Sequence, residues 1–75
     1  TIVGVRLVCK IALEQNAVAI VLAHNHPSGK LQASEADIQV TKRIKNAGLQ
    51  LDISVLDHII VTEHSYFSFA DEGIL

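Results

Sequence analysis

Ala17-Val18-Ala19-Ile20-Val21-Leu22-Ala23 runs directly into His24-Asn25-His26-Pro27-Ser28-Gly29-Lys30-Leu31-Gln32-Ala33-Ser34-Glu35-Ala36-Asp37, and the join between the two segments decides how the chain is read. The apolar run reads as a buried strand. Side chains alternate faces along a strand, so His24 and His26 leave its end on the same side and Asn25 on the other. Pro27-Ser28-Gly29 then breaks the strand and turns the chain. A helix is expected to begin at Ser34, whose hydroxyl can accept a bond from a free amide of the first turn. Asp37 lies in that first turn, on the side that can face back toward the histidines. Two imidazoles and one carboxylate make a three-ligand set suited to zinc, with the fourth tetrahedral position left for water.

Simpler readings compete at each residue. Ser34 with Asp37 is a short-armed capping box, and the helix dipole alone favours an acidic first-turn residue. A histidine pair at i, i+2 is by itself weak. The combination of a strand end, a tight turn and a helix start points to one place in space, which neither half requires alone.

At 75 residues the chain is at most one small domain, and a chain of this size buries only about 60% of its unfolded surface. Its longest apolar run is too short to cross a bilayer. The single cysteine excludes an internal disulfide; with no signal-like segment, this suits the cytoplasm. Six basic and eight acidic residues leave a net charge of −2, whereas phosphate binding normally requires a basic excess. Lys42, Arg43 and Lys45 cluster on one helix and read as a solvated face. The aromatic residues Tyr66, Phe67 and Phe69 lie together and are not interleaved with that cluster, so no stacking platform is expected. Nucleic acid is therefore an improbable partner for this segment, and no membrane partner is expected. A chain that starts at Thr1 and holds no methionine is expected to be a piece of something longer.

Read in order, residues 3–16 are helical, with Val5, Val8, Cys9 and Ala12 on one face and Leu7 and Ile11 widening it. That excess apolar surface suggests a second contact, and a homo-oligomer is expected. Cys9 reads as a small core or interface residue, and Glu14 as a surface residue. The strand at 17–23, apolar on both faces, is expected to be central and covered on both sides. Lys30, in the loop beyond it, could attract an anionic group. The second helix spans 34–47, with Asp37, Ile38, Thr41, Ile44 and Ala47 on its inner face and Gly48 as its C-cap.

Residues 49–61 read as strand-rich, with a bend or bulge at Leu56-Asp57 reconciling two alternation phases. Asp57 and His58 either bond local backbone at this junction or orient a ligand histidine. Glu63-His64-Ser65 forms a hairpin turn with His64 exposed, Tyr66 to Phe69 returns as a strand, and residues 70–73 make a terminal turn. The fold class is α/β, a small mixed sheet flanked by two helices.

His24-x-His26, seven residues, Ser34, two residues, Asp37 resembles the JAMM signature of MPN-type metallohydrolases. The wider His24-Asn25-His26-Pro27-Ser28-Gly29, Asp57 to Val61 and Tyr66 to Gly73 are similar to the RadC family, often labelled "DNA repair protein". The resemblance covers nearly the whole chain. It implies a cytidine-deaminase-like layered JAMM/MPN fold, of which residues 1–75 would be the C-terminal portion. It also implies Zn2+ on His24, His26 and Asp37, and a catalytic oxyanion-donor role for Ser34. The implied activity is that of a peptidase or isopeptidase, with a peptide or isopeptide-like substrate. JAMM enzymes take their general base from a glutamate on an earlier strand. Glu14, the only acidic residue before His24, does not match that position, so the chain is expected to bind zinc yet hydrolyse little. The alternative is a non-catalytic structural or interaction module associated with DNA repair. The letters H-N-H do not make a nuclease, because that motif spreads its residues over a longer ββα element.

Overall fold

The computed structural model describes residues 4–26 and 28–75. Val3 and Pro27, at the start of the first expected helix and in the expected turn, lie outside the described residues. Two helices and three strands follow in the order α1 (Val5–Glu14), β1 (Ala19–Asn25), α2 (Glu35–Gln50), β2 (Ser54–Val61) and β3 (Tyr66–Ser68). The sheet order is β1-β2-β3, with β1 parallel and β3 antiparallel to β2. Helix α2 packs on β2, and α1 packs on α2. This is the small mixed-sheet α/β architecture expected.

The strand after α1 is not central. Among the described residues β1 lies at the sheet edge and β2 in the middle. Ala19, Val21, Ala23 and Asn25 are exposed, while Ile20, Leu22 and His24 are half-buried. The continuous apolar run hides this asymmetry, because alanine and valine serve either face. The strand also begins two residues later than expected: Asn16, in the left-handed region at φ 54°, turns the chain out of α1, and Ala17 and Val18 complete the connection.

Helix α2 presents Asp37, Thr41, Ile44 and Gly48 inward, a stripe at helical spacing. It runs through Gly48 instead of ending there. The glycine permits a close approach, since a Cβ at this position would sit 2.5 Å from the Ile53 carbonyl oxygen. The chain reverses at Asp52, φ 58°, and residues 49–53 are therefore helix end and turn, with strand starting at Ser54.

The bulge forms where the alternation changed phase. Ile20 pairs with Val55 and Val21 with Asp57, leaving Leu56 without a partner on β1. One extra residue reverses which side chains face inward. Val55, His58 and Ile60 are buried as a result, and Leu56 is 58% exposed. The core is completed by Phe69, Ile53, Ile44 and Ala12.

Asp57 ties this bulge to the C-terminal turn. Its carboxylate accepts from the His58 amide at 2.7 Å, from the Ala70 amide at 3.0 Å and from the Ser68 hydroxyl. Burial would push its pKa up, but the Ser68 hydroxyl and the two amides outweigh it and hold the carboxyl below its ordinary value. A depressed folded-state pKa gives stability that is complete above the unfolded value and lost as pH falls through the folded one. Asp57→Asn is therefore expected to lower stability by about 1 kcal/mol at pH 7. In urea titrations the difference from the unsubstituted chain should shrink as pH drops below 3.8; a difference independent of pH would remove the carboxylate from this role.

Candidate metal centre

The site forms where the ends of two elements meet. His24 is in the last turn of the β1 pleat, and His26 follows directly, its amide continuing the ladder by donating to the Val61 carbonyl at 3.0 Å. Both imidazoles emerge on one side, as alternation requires, and their Nε2 atoms are 2.9 Å apart. The turn beyond closes with the Gly29 amide on the His26 carbonyl at 3.0 Å, and Gly29 takes φ 79°, which suits glycine.

Asp37 arrives from the other side. The Ser34 hydroxyl accepts from the Asp37 amide at 3.0 Å, and Asp37 Oδ2 accepts from the Ser34 amide at 2.9 Å. The capping box is thus present in full, and it aims the carboxylate rather than competing with the site. Asp37 Oδ2 lies 3.5 Å from His26 Nε2, and Oδ1 lies 3.7 Å from His24 Nε2. A tetrahedral ion with bonds of about 2.0–2.1 Å holds its ligand atoms about 3.3 Å apart. The three side chains offer atoms all within 4.8 Å of one another, so together they could hold a metal ion.

Protonation states agree with that use. Burial holds His24 below the ordinary imidazole value, with His26 adding to the effect and Asp37 opposing it. Asp37 is 4% exposed. Burial pushes its carboxyl up, but the Ser34 amide and side chain, with His24 and His26, prevail and keep it below its usual range. His26 Nδ1 is 2.9 Å from the Lys30 carbonyl oxygen. A carbonyl only accepts, so Nδ1 donates to it and Nε2 is the nitrogen that faces the site. The backbone of Lys30 therefore serves the site, while the residue itself is exposed.

Asp57 and His58 divide the two readings between them. Asp57 bonds the local chain, as described. His58 is 3% exposed, with its ring stacked on Phe69 at 4.5 Å and 19°. Its Nε2 is 2.7 Å from His24 Nδ1, and its Nδ1 is 2.6 Å from Thr41 Oγ1. Burial keeps its pKa low, helped by His24 and opposed by Asp37 and Asp57. Thr41 had been legible only as part of the inner stripe of α2; the missed signal was its place one turn below Asp37. Glu14 is exposed at the end of α1 and pairs with Lys10 at 3.6 Å.

An open depression of about 340 Å3 runs along His26, Ser28, Lys30, Gln32 and Ser34. Residues 1–74 match the RadC-like JAB domain. This chain belongs to that family. Its relatives include UPF0758 proteins of Flavobacterium johnsoniae, 60% identical over 74 residues, and of Porphyromonas gingivalis, 49% identical over 76. The alignments cover 99% and 100% of this chain but 32% and 34% of those proteins. The UPF0758 protein of Nitrosococcus oceani is 53% identical over 70 residues, 93% of this chain and 31% of its own length. The chain thus spans about a third of the length of these relatives. Among the described residues no helix is long and apolar enough to cross a membrane.

Purified without chelator, the chain should carry about one divalent metal ion per protein by elemental analysis. His26→Ala should leave less than a tenth of it; equal metal in both would dissociate the ion from this triad.

Proposed function

We propose that this RadC-like JAB domain carries the metal-holding part of a zinc-dependent hydrolase acting on amide carbonyls, of the peptidase or isopeptidase class. The observation that supports it is the convergence of His24 Nε2, His26 Nε2 and the Asp37 carboxylate on one point. Three protein ligands with an open side are the pattern of catalytic zinc, whereas structural sites are closed by four. Nitrogen and oxygen donors of this kind suit zinc among the common divalent ions. When bound, zinc supplies Lewis acidity and a hydroxide at neutral pH.

The chain's own residues would then act as follows. His24, His26 and Asp37 hold the ion, and their fixed neighbours limit its movement. The Ser34 hydroxyl uses its oxygen to accept from Asp37 N, which leaves its single proton free. At a helix N-terminus beside the ligands, that proton can be donated to the oxyanion developing on an attacked carbonyl. The depression beside His26 and Ser34 gives an extended substrate a path to the site.

A general base is also required. Asp37 is committed to the cap and the metal position, and Glu14 is paired with Lys10. We place the base outside these 75 residues, in the part of a longer protein that would make 1–75 the C-terminal portion of a larger domain. The second reading, a non-catalytic module associated with DNA repair, draws on this missing base. Direct nucleic-acid binding draws little from a net charge of −2. We assign the protein to the cytoplasm on its single free cysteine.

A protein of the relatives' length containing this segment should hydrolyse a peptide or isopeptide substrate. Ser34→Ala should lower kcat about 100-fold or more when expressed per zinc-loaded protein. Hydrolysis absent from the longer, zinc-loaded protein would leave the non-catalytic module.

For the 75-residue chain itself we propose self-association through its uncovered apolar side chains. Val18 is 77%, Val21 52% and Leu56 58% exposed, and β1 is an open edge among the described residues. Light scattering should give a mass above 8.1 kDa; a clean monomer would overturn this.

A further inference from the structure

We propose that Thr41 and His58 form a tautomer relay that turns the Nε2 lone pair of His24 toward the metal position, which makes both of them positioning residues. The inference rests on the metal-holding reading above for its purpose, but its geometry is independent of it.

The chain of contacts begins at Thr41. Thr41 Oγ1 donates to the Asp37 carbonyl, one helical turn back, at 2.7 Å. A hydroxyl has one proton, and a carbonyl oxygen at that distance can only accept. If the proton pointed elsewhere, two oxygen lone pairs would face each other inside the protein. The proton is therefore spent on Asp37 O, and Thr41 Oγ1 can offer His58 Nδ1, 2.6 Å away, only a lone pair.

His58 must then carry its proton on Nδ1. The ring is 3% exposed and stacked on Phe69, with a hydroxyl and an imidazole, not a carboxylate, on its two nitrogens; a neutral ring fits those partners and leaves Nε2 as an acceptor. The nitrogen 2.7 Å from it is His24 Nδ1, which must donate and so holds the proton of that ring. His24 Nε2 is left with its lone pair, facing His26 Nε2 at 2.9 Å and Asp37 Oδ1 at 3.7 Å. The His24 lone pair thus faces the same point as His26 Nε2 and the Asp37 carboxylate.

The bulge at Leu56 is part of the device. Without the extra residue, the side chain facing inward between Val55 and the strand end would be Asp57 instead of His58. Stacking on Phe69 then fixes the His58 ring plane, so the relay has little freedom to tilt. Ligand histidines usually donate their second nitrogen to a carboxylate or a carbonyl. A neutral imidazole in that place orients the ring without adding negative charge beneath the site.

The test is long-range 1H–15N correlation NMR on the full, metal-free chain at neutral pH, which separates protonated from bare ring nitrogens; there are four histidines to assign. His24 and His58 should each show a protonated Nδ1 and a bare Nε2. Thr41→Val removes the acceptor beneath His58. A buried N–H without a partner is costly, so His58 should shift its proton to Nε2 and drive His24 to the opposite tautomer. Zinc affinity, measured by competition with a chromophoric chelator, should fall about 10- to 100-fold in this variant. Thr41→Ser, which keeps the hydroxyl, should restore both the spectrum and the affinity.

A protonated Nε2 on His24 in the unsubstituted chain overturns the relay, whether or not any variant folds. So does a Thr41→Val protein whose His24 pattern is unchanged. The assigned tautomers in a chain that binds no zinc would sustain the relay and sink the metal reading, so the two failures are distinguishable.

Discussion

A buried carboxylate must be compensated, and the Asp37 side chain meets that demand in two directions at once. Its Oδ2 atom closes the N-terminus of α2 by accepting the Ser34 amide, while the same group faces His24 and His26. Removing a carboxylate from water without partners costs several kcal/mol or more. The cap offsets part of this, and the imidazoles complete it when a cation lies among them. The helix start, the strand end and the site consequently meet at one side chain: moving α2 relative to β1 would leave the cap intact but carry the carboxylate away from the imidazoles.

Beneath this unit lies a polar layer that a small core would ordinarily avoid. His58 and Thr41 are buried beside Ile60, Ile44 and Phe69. They are tolerated because each polar atom has a partner, and no buried side-chain nitrogen or oxygen among the described residues lacks one. Such a layer is rigid for the same reason, since rotation of any ring breaks bonds that no water can replace. Rigidity of this kind suits ligands whose lone pairs must be aimed.

Asp57 shows how neighbouring residues with similar chemistry take different work. It lies beside His58, and the two are equally polar in sequence. The bulge turns one toward the β3 turn and the other toward α2. Asp57 then accepts backbone amides and becomes a staple between β2 and the residues after β3. His58 is sealed under His24. Pattern reading located the irregularity at Leu56-Asp57, because the alternation phase changes there. It could not say which of the pair would face the histidines, since that depends on which single residue is left out of the ladder.

Local chemistry determined a good deal by itself. Alternation placed His24 and His26 on one side, Ser34 and Asp37 formed a cap, and the helical stripe through Asp37, Thr41 and Ile44 was visible as spacing. These are short-range rules, governed by backbone geometry over a few residues. Long-range packing decided the rest. It set β1 at the sheet edge among the described residues, because a run of Ala and Val is compatible with either a covered or a bare face. It carried α2 through Gly48, because the absent Cβ is needed for contact with Ile53 and not for a turn. It brought His58 to His24 across a separation of 34 residues, a contact that neither residue's neighbours encode.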